Sequence, residues 1–155
     1  MTEPSIVIRP PDHPDHDQWA ALFRAYRDFY RLPPDEAVVD RVWSWIGDPA
    51  HETNALVAVT GSGALVGLAH YRRFARPSTG STGIYLDDLF TDTEHRGSGV
   101  GRALITAVTE IGAREGCSVV RWITAGDNRA AQRLYESVAV RTSWLTYDRL
   151  CRPTS

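Results

Sequence analysis

A glycine-rich turn is the feature of this sequence best suited to chemistry. Gly97, Gly99 and Gly101 occupy alternate positions between a strand-like run at 84–91 and a run whose apolar residues recur at helical spacing. The first amides of a helix have no partner inside it, and the helix dipole adds partial positive charge there. The turn therefore predicts a binding corner for phosphate or pyrophosphate, with a plain surface loop as the alternative.

Two arginines favour the anionic ligand. Arg96 and Arg102 flank the expected start of the helix. A cation at that position costs ~0.3–1 kcal/mol when no counter-ion is present. A bound polyanion would make the same two charges favourable.

The turn fits neither of the two commonest nucleotide-binding motifs. A P-loop has Lys and then Ser or Thr after its last glycine, whereas Gly101 is followed by Arg102 and Ala103. A dinucleotide-binding fingerprint requires Gly or Ala where this sequence has Arg102 or Leu104, depending on the starting glycine.

The spacing R-x-x-G-x-G, formed by Arg96, Gly99 and Gly101, resembles the acyl-CoA pyrophosphate loop of the GNAT superfamily of N-acetyltransferases. A second block, N-x-x-A-x-x-L-Y-E at 128–136, is similar to the helix that follows the next strand in that superfamily. The run at 85–104 resembles the branch that contains diamine and polyamine acetyltransferases. The resemblance covers residues 84–149 well, and the first half of the chain matches only in the order of its elements.

Fold and function follow from this resemblance as expectations. Runs of strands with helices between them favour one α+β domain, residues 1–155, with a mixed, mostly antiparallel sheet flanked by helices. The resemblance implies that this domain has the GNAT-type fold. The resemblance implies an acetyl-CoA-dependent enzyme, without metal, that acetylates a primary amine by direct attack in a ternary complex. A small-molecule amine or polyamine is favoured; the alternatives are a protein amine, or a domain that binds acyl-CoA without turnover.

The resemblance also assigns the residues that hold acetyl-CoA. The backbone amides of Leu89, Phe90 and Thr91 are expected to hold the pantetheine arm and the thioester carbonyl. Asn128 and Ala131 are expected to face that arm from the other side. The pyrophosphate is assigned to the turn, which comprises Arg96, Gly97, Ser98, Gly99, Val100, Gly101 and Arg102.

Two side chains are candidates for catalysis. The phenol of Tyr135 can protonate the departing thiolate and matches the superfamily's general acid, although it could also simply pack its helix against the sheet. Asp87 matches the acid assigned as base in the diamine branch, where the residue is Glu, and its shorter side chain favours a water relay. The alternative is a cross-strand ion pair with Arg72. Because neighbours in a regular strand point to opposite faces, Asp87 and Asp88 are not expected to form a dyad.

Two apolar stripes predict helices before the sheet is complete. They are separated by Pro33-Pro34-Asp35 and comprise Trp19, Leu22, Phe23, Tyr26, Phe29 and Tyr30, then Val39, Val42, Trp43 and Ile46. Their simplest role is in the core. In the resembled superfamily this helical pair covers the acceptor site, so Tyr26 and Tyr30, with Asp87, are the candidates for substrate binding.

Strands are expected at 5–9, 55–59, 64–71, 84–91, 119–124 and 140–150. Glycine turns join the second strand to the third and the third to the fourth. Asp127 is expected to cap a last helix that runs through Ser137. His70 is expected to be a half-buried strand residue and His95 a loop residue, and neither has a partner at metal-ligand spacing.

The composition narrows the class of protein further. The chain has 155 residues, a net charge of −2 and two isolated cysteines, which argues against a nucleic-acid partner and against a disulfide framework. No segment reads as a signal peptide, and no apolar run approaches the ~18 residues of a membrane span. We therefore expect a cytoplasmic enzyme without a membrane partner. Superfamily members often form homodimers, and the sequence leaves this point open.

Overall fold

The computed structural model describes residues 5–152 and consists of two compact units, Met1–Ile123 and Thr124–Ser155. The first unit contains β1 (Val7–Arg9), α1 (His16–Phe29), α2 (Glu36–Ile46), β2 (Asn54–Val59), β3 (Leu65–Arg76), β4 (Ser81–Thr91), α3 (Val100–Arg114) and β5 (Val120–Arg121). Short 3-10 turns, His13–Asp15 and Thr93–His95, precede α1 and α3. The second unit contains α4 (Arg129–Val138).

The sheet of the first unit is mixed and mostly antiparallel, as expected. Its strands lie in the order β1-β2-β3-β4-β5, and only β4 and β5 are parallel. The α+β fold class predicted from the element pattern is confirmed. β3 and β4 form the longest pairing and carry most of the candidate site.

The helices of the first unit cover both faces of this sheet. Trp19 and Phe23 of α1 pack with Leu68 of β3 in one buried cluster. On the other face, the α3 residue Val100 lies against Gly67, where an added Cβ would come within 2.6 Å of Val100 Cγ1. Burying such apolar side chains stabilises the fold by roughly 1.5–3 kcal/mol each, so both helices are fixed firmly to β3 and β4.

Local signals define where the first two helices begin. The guanidinium of Arg9 in β1 donates two hydrogen bonds to Asp15, at 2.6 and 3.1 Å, and Asp15 also accepts from the Asp12 amide at 2.7 Å. These contacts fix the entry to α1 beside the sheet. Asp35, after the proline pair, is the N-cap of α2 and accepts from the Ala37 amide at 3.0 Å.

Three sequence predictions near the C-terminus are wrong. β5 has only two residues where a strand at 119–124 was expected. The N-cap of α4 is Asn128, whose side chain accepts from the Ala131 amide, and not Asp127. No strand forms at 140–150, where Val140, Trp144, Leu145, Tyr147 and Leu150 are exposed; apolar composition does not make a strand without a paired neighbour.

Within residues 5–152, no helix is both long enough and apolar enough to cross a bilayer.

Candidate active site

The open edge of β4 is the first component of the site. β5 pairs with β4 only at Ile84 and Tyr85, and β4 then continues to Thr91 along an edge to which β5 adds no further pairing. The Asp92 amide donates to Val66 of β3 at 2.8 Å. Because successive residues of a strand direct their amides to alternate sides, the amides of Leu89 and Thr91 point to the open edge and that of Phe90 points to β3.

The start of α3 is the second component, and it follows β4 through the predicted glycine turn. Gly97 and Gly99 have φ values of 80° and 88°, a conformation that residues with a side chain rarely adopt. The first backbone bond of α3 runs from the Ala103 amide to the Gly99 carbonyl at 3.0 Å. The amides of Val100 and Gly101, in the first turn of α3, therefore lack a helical acceptor, and the N-cap glycine offers no side chain to supply one.

The side chain of Arg96 is engaged with aromatic rings. Its guanidinium lies over Phe29 at 4.8 Å and over Phe90 at 5.6 Å, and its Nε is 3.4 Å from the Thr91 carbonyl. The sequence placed this charge beside the helix start; in the structure it also borders the C-terminal end of α1. Ser98 donates its hydroxyl hydrogen to the His95 carbonyl within the same turn.

A β-bulge brings Asp87 and Asp88 to one face of the sheet, contrary to the sequence prediction. His70 pairs with Asp88 and the next residue, Tyr71, pairs with Leu86, so Asp87 is the extra residue of β4. Asp88 bonds to His70 and Asp87 bonds to Arg72. His70 and Arg72 are two positions apart in β3 and share a face, so their two partners share it as well.

Asp87 forms the cross-strand ion pair that was the alternative to a catalytic role. The Nε of Arg72 donates to its two carboxylate oxygens at 3.1 and 3.3 Å, and about a third of each side chain is exposed. Burial raises the pKa of Asp87 above its ordinary value of 3.8, and this effect outweighs the opposing hydrogen bond from Arg72. The carboxylate is thus shifted toward the range in which it can accept a proton.

Asp88 has the opposite electrostatic environment. Burial by itself raises the pKa of Asp88, but the hydrogen-bonded imidazole of His70 and a hydrogen bond from Tyr26 outweigh it and hold the pKa below its ordinary value of 3.8. The side chain is a quarter exposed. Two adjacent carboxylates on one face therefore have pKa values displaced in opposite directions, an arrangement typical of sites that divide anionic and basic roles.

A buried chain of hydrogen bonds leads from Asp88 into the core. Asp88 Oδ2 lies 2.8 Å from His70 Nδ1, and His70 Nε2 lies 3.1 Å from Trp19 Nε1. His70 is 2% exposed and Trp19 is fully buried, so the prediction of a half-buried histidine is wrong. The only sequence signal was that His70 continues the alternation of Leu68, which faces α1.

Tyr26, which hydrogen-bonds to Asp88, belongs to a cluster of aromatic rings. The Tyr26 ring lies 5.0 Å from that of Tyr30 and 6.0 Å from that of Phe90, and Phe29 contacts both Tyr30 and Phe90. Tyr26 is half-buried and Tyr30 is 37% exposed. The two predicted substrate-binding tyrosines therefore lie together, beside the carboxylate that Tyr26 bonds.

The remaining predicted site residues belong to the second unit. Tyr135 is a half-buried residue of α4, and its carbonyl accepts from the Ala139 amide at 2.8 Å. Asn128 and Ala131 are joined to each other by the N-cap hydrogen bond of 3.2 Å. Ala139, the C-cap residue of α4, has an extended backbone, a conformation that a residue with a side chain adopts readily.

A sheet of this order, with an open strand edge that leads into a glycine turn and a helix start, defines an acyltransferase of GNAT type. The sequence matches the Acetyltransferase (GNAT) family over residues 19–139, and the chain belongs to that family.

The sequence relatives are N-acetyltransferases. The D-amino-acid N-acetyltransferase HPA3 of Saccharomyces cerevisiae is 30% identical over 152 residues, which are 96% of this chain and 93% of the yeast protein. The thialysine N-epsilon-acetyltransferase of Bos taurus is 34% identical over 58 residues, which are 37% of this chain and 34% of the bovine protein.

Solved structures agree on the fold. A ribosomal-protein-alanine N-acetyltransferase from Brucella melitensis biovar Abortus 2308 matches with a TM-score of 0.80 at 22% identity, over 95% of this chain and all of that one. The aminoglycoside N-acetyltransferase AAC(6')-Iy, in complex with a bisubstrate analogue of coenzyme A, matches with a TM-score of 0.78 at 19% identity, over 96% of this chain and 99% of that one. At these identities the likeness concerns the fold alone.

Proposed function

We propose that this protein transfers the acetyl group of acetyl-CoA to the primary amine of a small molecule, by direct attack in a ternary complex and within one domain. The observation that carries the proposal is the open edge of β4 that ends at the start of α3. It offers the amides of Leu89 and Thr91 and then those of Val100 and Gly101, which have no acceptor within the helix. Those donors fit the polar arm and the pyrophosphate of an acyl-CoA.

Acetyl-CoA supplies an acyl group activated as a thioester. The turn from Arg96 to Arg102 binds the pyrophosphate with its amides. The strand amides hold the pantetheine arm, and donors at the open edge stabilise charge on the carbonyl oxygen. Asn128 and Ala131 contribute through the N-terminal turn of α4.

The carboxylates of Asp88 and Asp87 have different roles toward the acceptor amine. Asp88, with its lowered pKa, stays ionised and attracts the ammonium form of the acceptor. Asp87, with its raised pKa, accepts the proton that the amine must lose, directly or through water. Tyr26 and Tyr30 line the alkyl portion of the acceptor, and the phenol of Tyr135 returns a proton to the leaving thiolate.

Two features support a small acceptor. The anionic pair lies beside a compact aromatic cluster, which suits an alkyl ammonium group. The two sequence relatives are named for D-amino acids and for thialysine, both small amines.

We place the enzyme in the cytoplasm.

A panel of amines tests the proposal. Free-thiol release and the mass of the acetylated product should be measured with diamines, polyamines, D-amino acids, L-amino acids and thialysine. We expect at least one of these to give product whose mass is that of the mono-acetylated amine. Binding of acetyl-CoA without product from any of them would favour the alternatives of a sensor domain or of a protein acceptor.

A further inference from the structure

His70 is the one strongly buried histidine whose two ring nitrogens both have side-chain partners among residues 5–152. Its Nε2 faces the indole nitrogen of Trp19 at 3.1 Å, and its Nδ1 faces the Asp88 carboxylate at 2.8 Å. Asp88 belongs to the proposed acceptor site, whereas His70 has no assigned role in it. This inference rests on the proposed function and concerns how the acceptor side of that site is held.

The chemistry of the partners fixes the tautomer. An indole nitrogen can only donate, so His70 Nε2 must be the acceptor and carries no proton. The single proton of a neutral imidazole then lies on Nδ1, where it is donated to Asp88. A second proton on Nε2 would place two donors 3.1 Å apart between two buried side chains.

The neutral state matters for the charge that an acceptor meets. An imidazolium beside Asp88 would cancel the carboxylate and leave little attraction for an ammonium group. A neutral imidazole donates the same hydrogen bond and preserves the full negative charge. Asp88 accepts from His70 and Tyr26, and since a carboxylate offers about four lone-pair directions, capacity remains for the substrate.

The charged groups around His70 do not by themselves select this state. From α1 it meets the rings of Trp19 and Phe23, which carry no charge. From β4 it meets Asp88 and, at longer range, Asp87, and a neighbouring carboxylate favours the doubly protonated ring. Trp19 is therefore the group whose direct hydrogen bond excludes the second proton.

We propose that His70 is a positioning residue of the acceptor site: Trp19 locks its imidazole as the neutral Nδ1–H tautomer, and that imidazole holds Asp88 ionised and oriented toward the amine. The affinity for a cationic acceptor therefore depends on Trp19, a residue of α1.

Ring-nitrogen NMR of the wild-type protein tests the proposed tautomer of His70 without any assay of turnover. At neutral pH, His70 should have a protonated Nδ1 and an unprotonated Nε2. In Trp19→Phe, which removes the indole donor, nothing holds the ring in this tautomer, and the population with a proton on Nε2 should rise. A wild-type His70 that carries a proton on Nε2 would overturn the proposal whatever the variants do.

Steady-state kinetics test the role of the locked ring. His70→Phe keeps an aromatic ring but removes both nitrogens, and we expect KM for the amine to rise about tenfold or more, as when a hydrogen bond to a charged group is lost. Acetyl-CoA affinity should be unchanged. His70→Asn retains a donor toward Asp88 and should recover part of the loss.

Tyr71→Phe is the matched control, because it alters a buried neighbour of His70 in β3 that faces away from Asp88. Its KM for the amine should equal that of the wild type. An equal KM in folded His70→Phe would overturn the proposal. Absence of turnover by the wild type with every amine would instead refute the proposed function, so the two failures are distinguishable.

Discussion

Asp87 and Asp88 are consecutive residues of β4, yet their carboxylates lie on the same face of the sheet because a bulge at Asp87 interrupts the alternation. One bonds to Arg72 and the other to His70, and their pKa values move in opposite directions. A regular strand could place only one of them on the side covered by α1. The bulge therefore creates the anionic corner to which we assign the acceptor amine.

The role of Asp87 predicts a pH effect from a residue beside it. The hydrogen bond from Arg72 lowers the pKa of Asp87, so Arg72→Met should raise that pKa further. If Asp87 must be ionised to accept the proton, the acidic limb of the kcat/KM profile moves to higher pH. Arg73→Met is the control, because Arg73 pairs with Glu115 and not with Asp87. An unmoved limb in Arg72→Met would leave Asp87 as an ion-pair partner only.

Replacing the proposed general acid, Tyr135, should separate turnover from binding. Tyr135→Phe removes one oxygen from α4, and we expect kcat to fall by about 10²–10⁴ because the leaving thiolate loses its proton donor. Acetyl-CoA affinity, measured by calorimetry, should change little. Turnover equal to that of the wild type would show that Tyr135 serves only to pack its helix.

The close approach of β3 and α3 predicts a stability effect. An added Cβ at Gly67 would meet Val100 Cγ1 at 2.6 Å, so Gly67→Ala must displace the start of α3. We expect the free energy of unfolding to fall by about 1–3 kcal/mol, with weaker acetyl-CoA binding in the folded fraction. Gly61→Ala, which has no atom within 4 Å of the new Cβ, should be close to neutral in both measurements. Equal stability of the two variants would contradict the packing argument.

The ion pair at the entry to α1 predicts how stability depends on pH. The hydrogen bond from Arg9 is the main cause of the lowered pKa of Asp15, whose ordinary value is 3.8. A lowered pKa gives stability that is fully present above the ordinary value and is lost as the pH falls through the native one. Asp15→Asn should cost about 1–3 kcal/mol near neutral pH. Its difference from the wild type should shrink below about pH 4 in denaturant melts.

Asp17→Asn is the control for that experiment, because the Asp17 side chain is fully exposed and lies only two residues further along the chain. Its effect should be close to zero at every pH. A pH-independent difference between Asp15→Asn and the wild type would assign the loss to packing instead of to charge.

Local patterns predicted what local forces determine. The stripes of α1 and α2, the proline pair before the Asp35 cap, and the glycine turn before α3 are all signals within a few residues of their effect. The features missed depend on distant partners. The bulge at Asp87 is a property of the β3 to β4 register, and the burial of His70 depends on how Trp19 of α1 packs against it.

The same distinction explains the failed strand at 140–150. Its composition favours extended chain, but a strand is stabilised by the neighbour with which it pairs, and the sequence does not state whether one is available. The candidate acid Tyr135 and the turn at 96–102 were found because their motifs are short and contiguous. Asp88 could be assigned a role only from its hydrogen-bond partners, His70 and Tyr26, which the structure shows.

Calorimetric titration with acetyl-CoA, followed in the same cell by thiol release on addition of the amine panel, tests the central claim most directly. We predict saturable binding of one acetyl-CoA per chain, and then release of free thiol that depends on the amine. A titration without heat of binding, in a folded sample and at concentrations well above micromolar, would contradict the assignment of the β4 edge and the α3 start to an acyl-CoA. That result would remove the basis for the acceptor site as well.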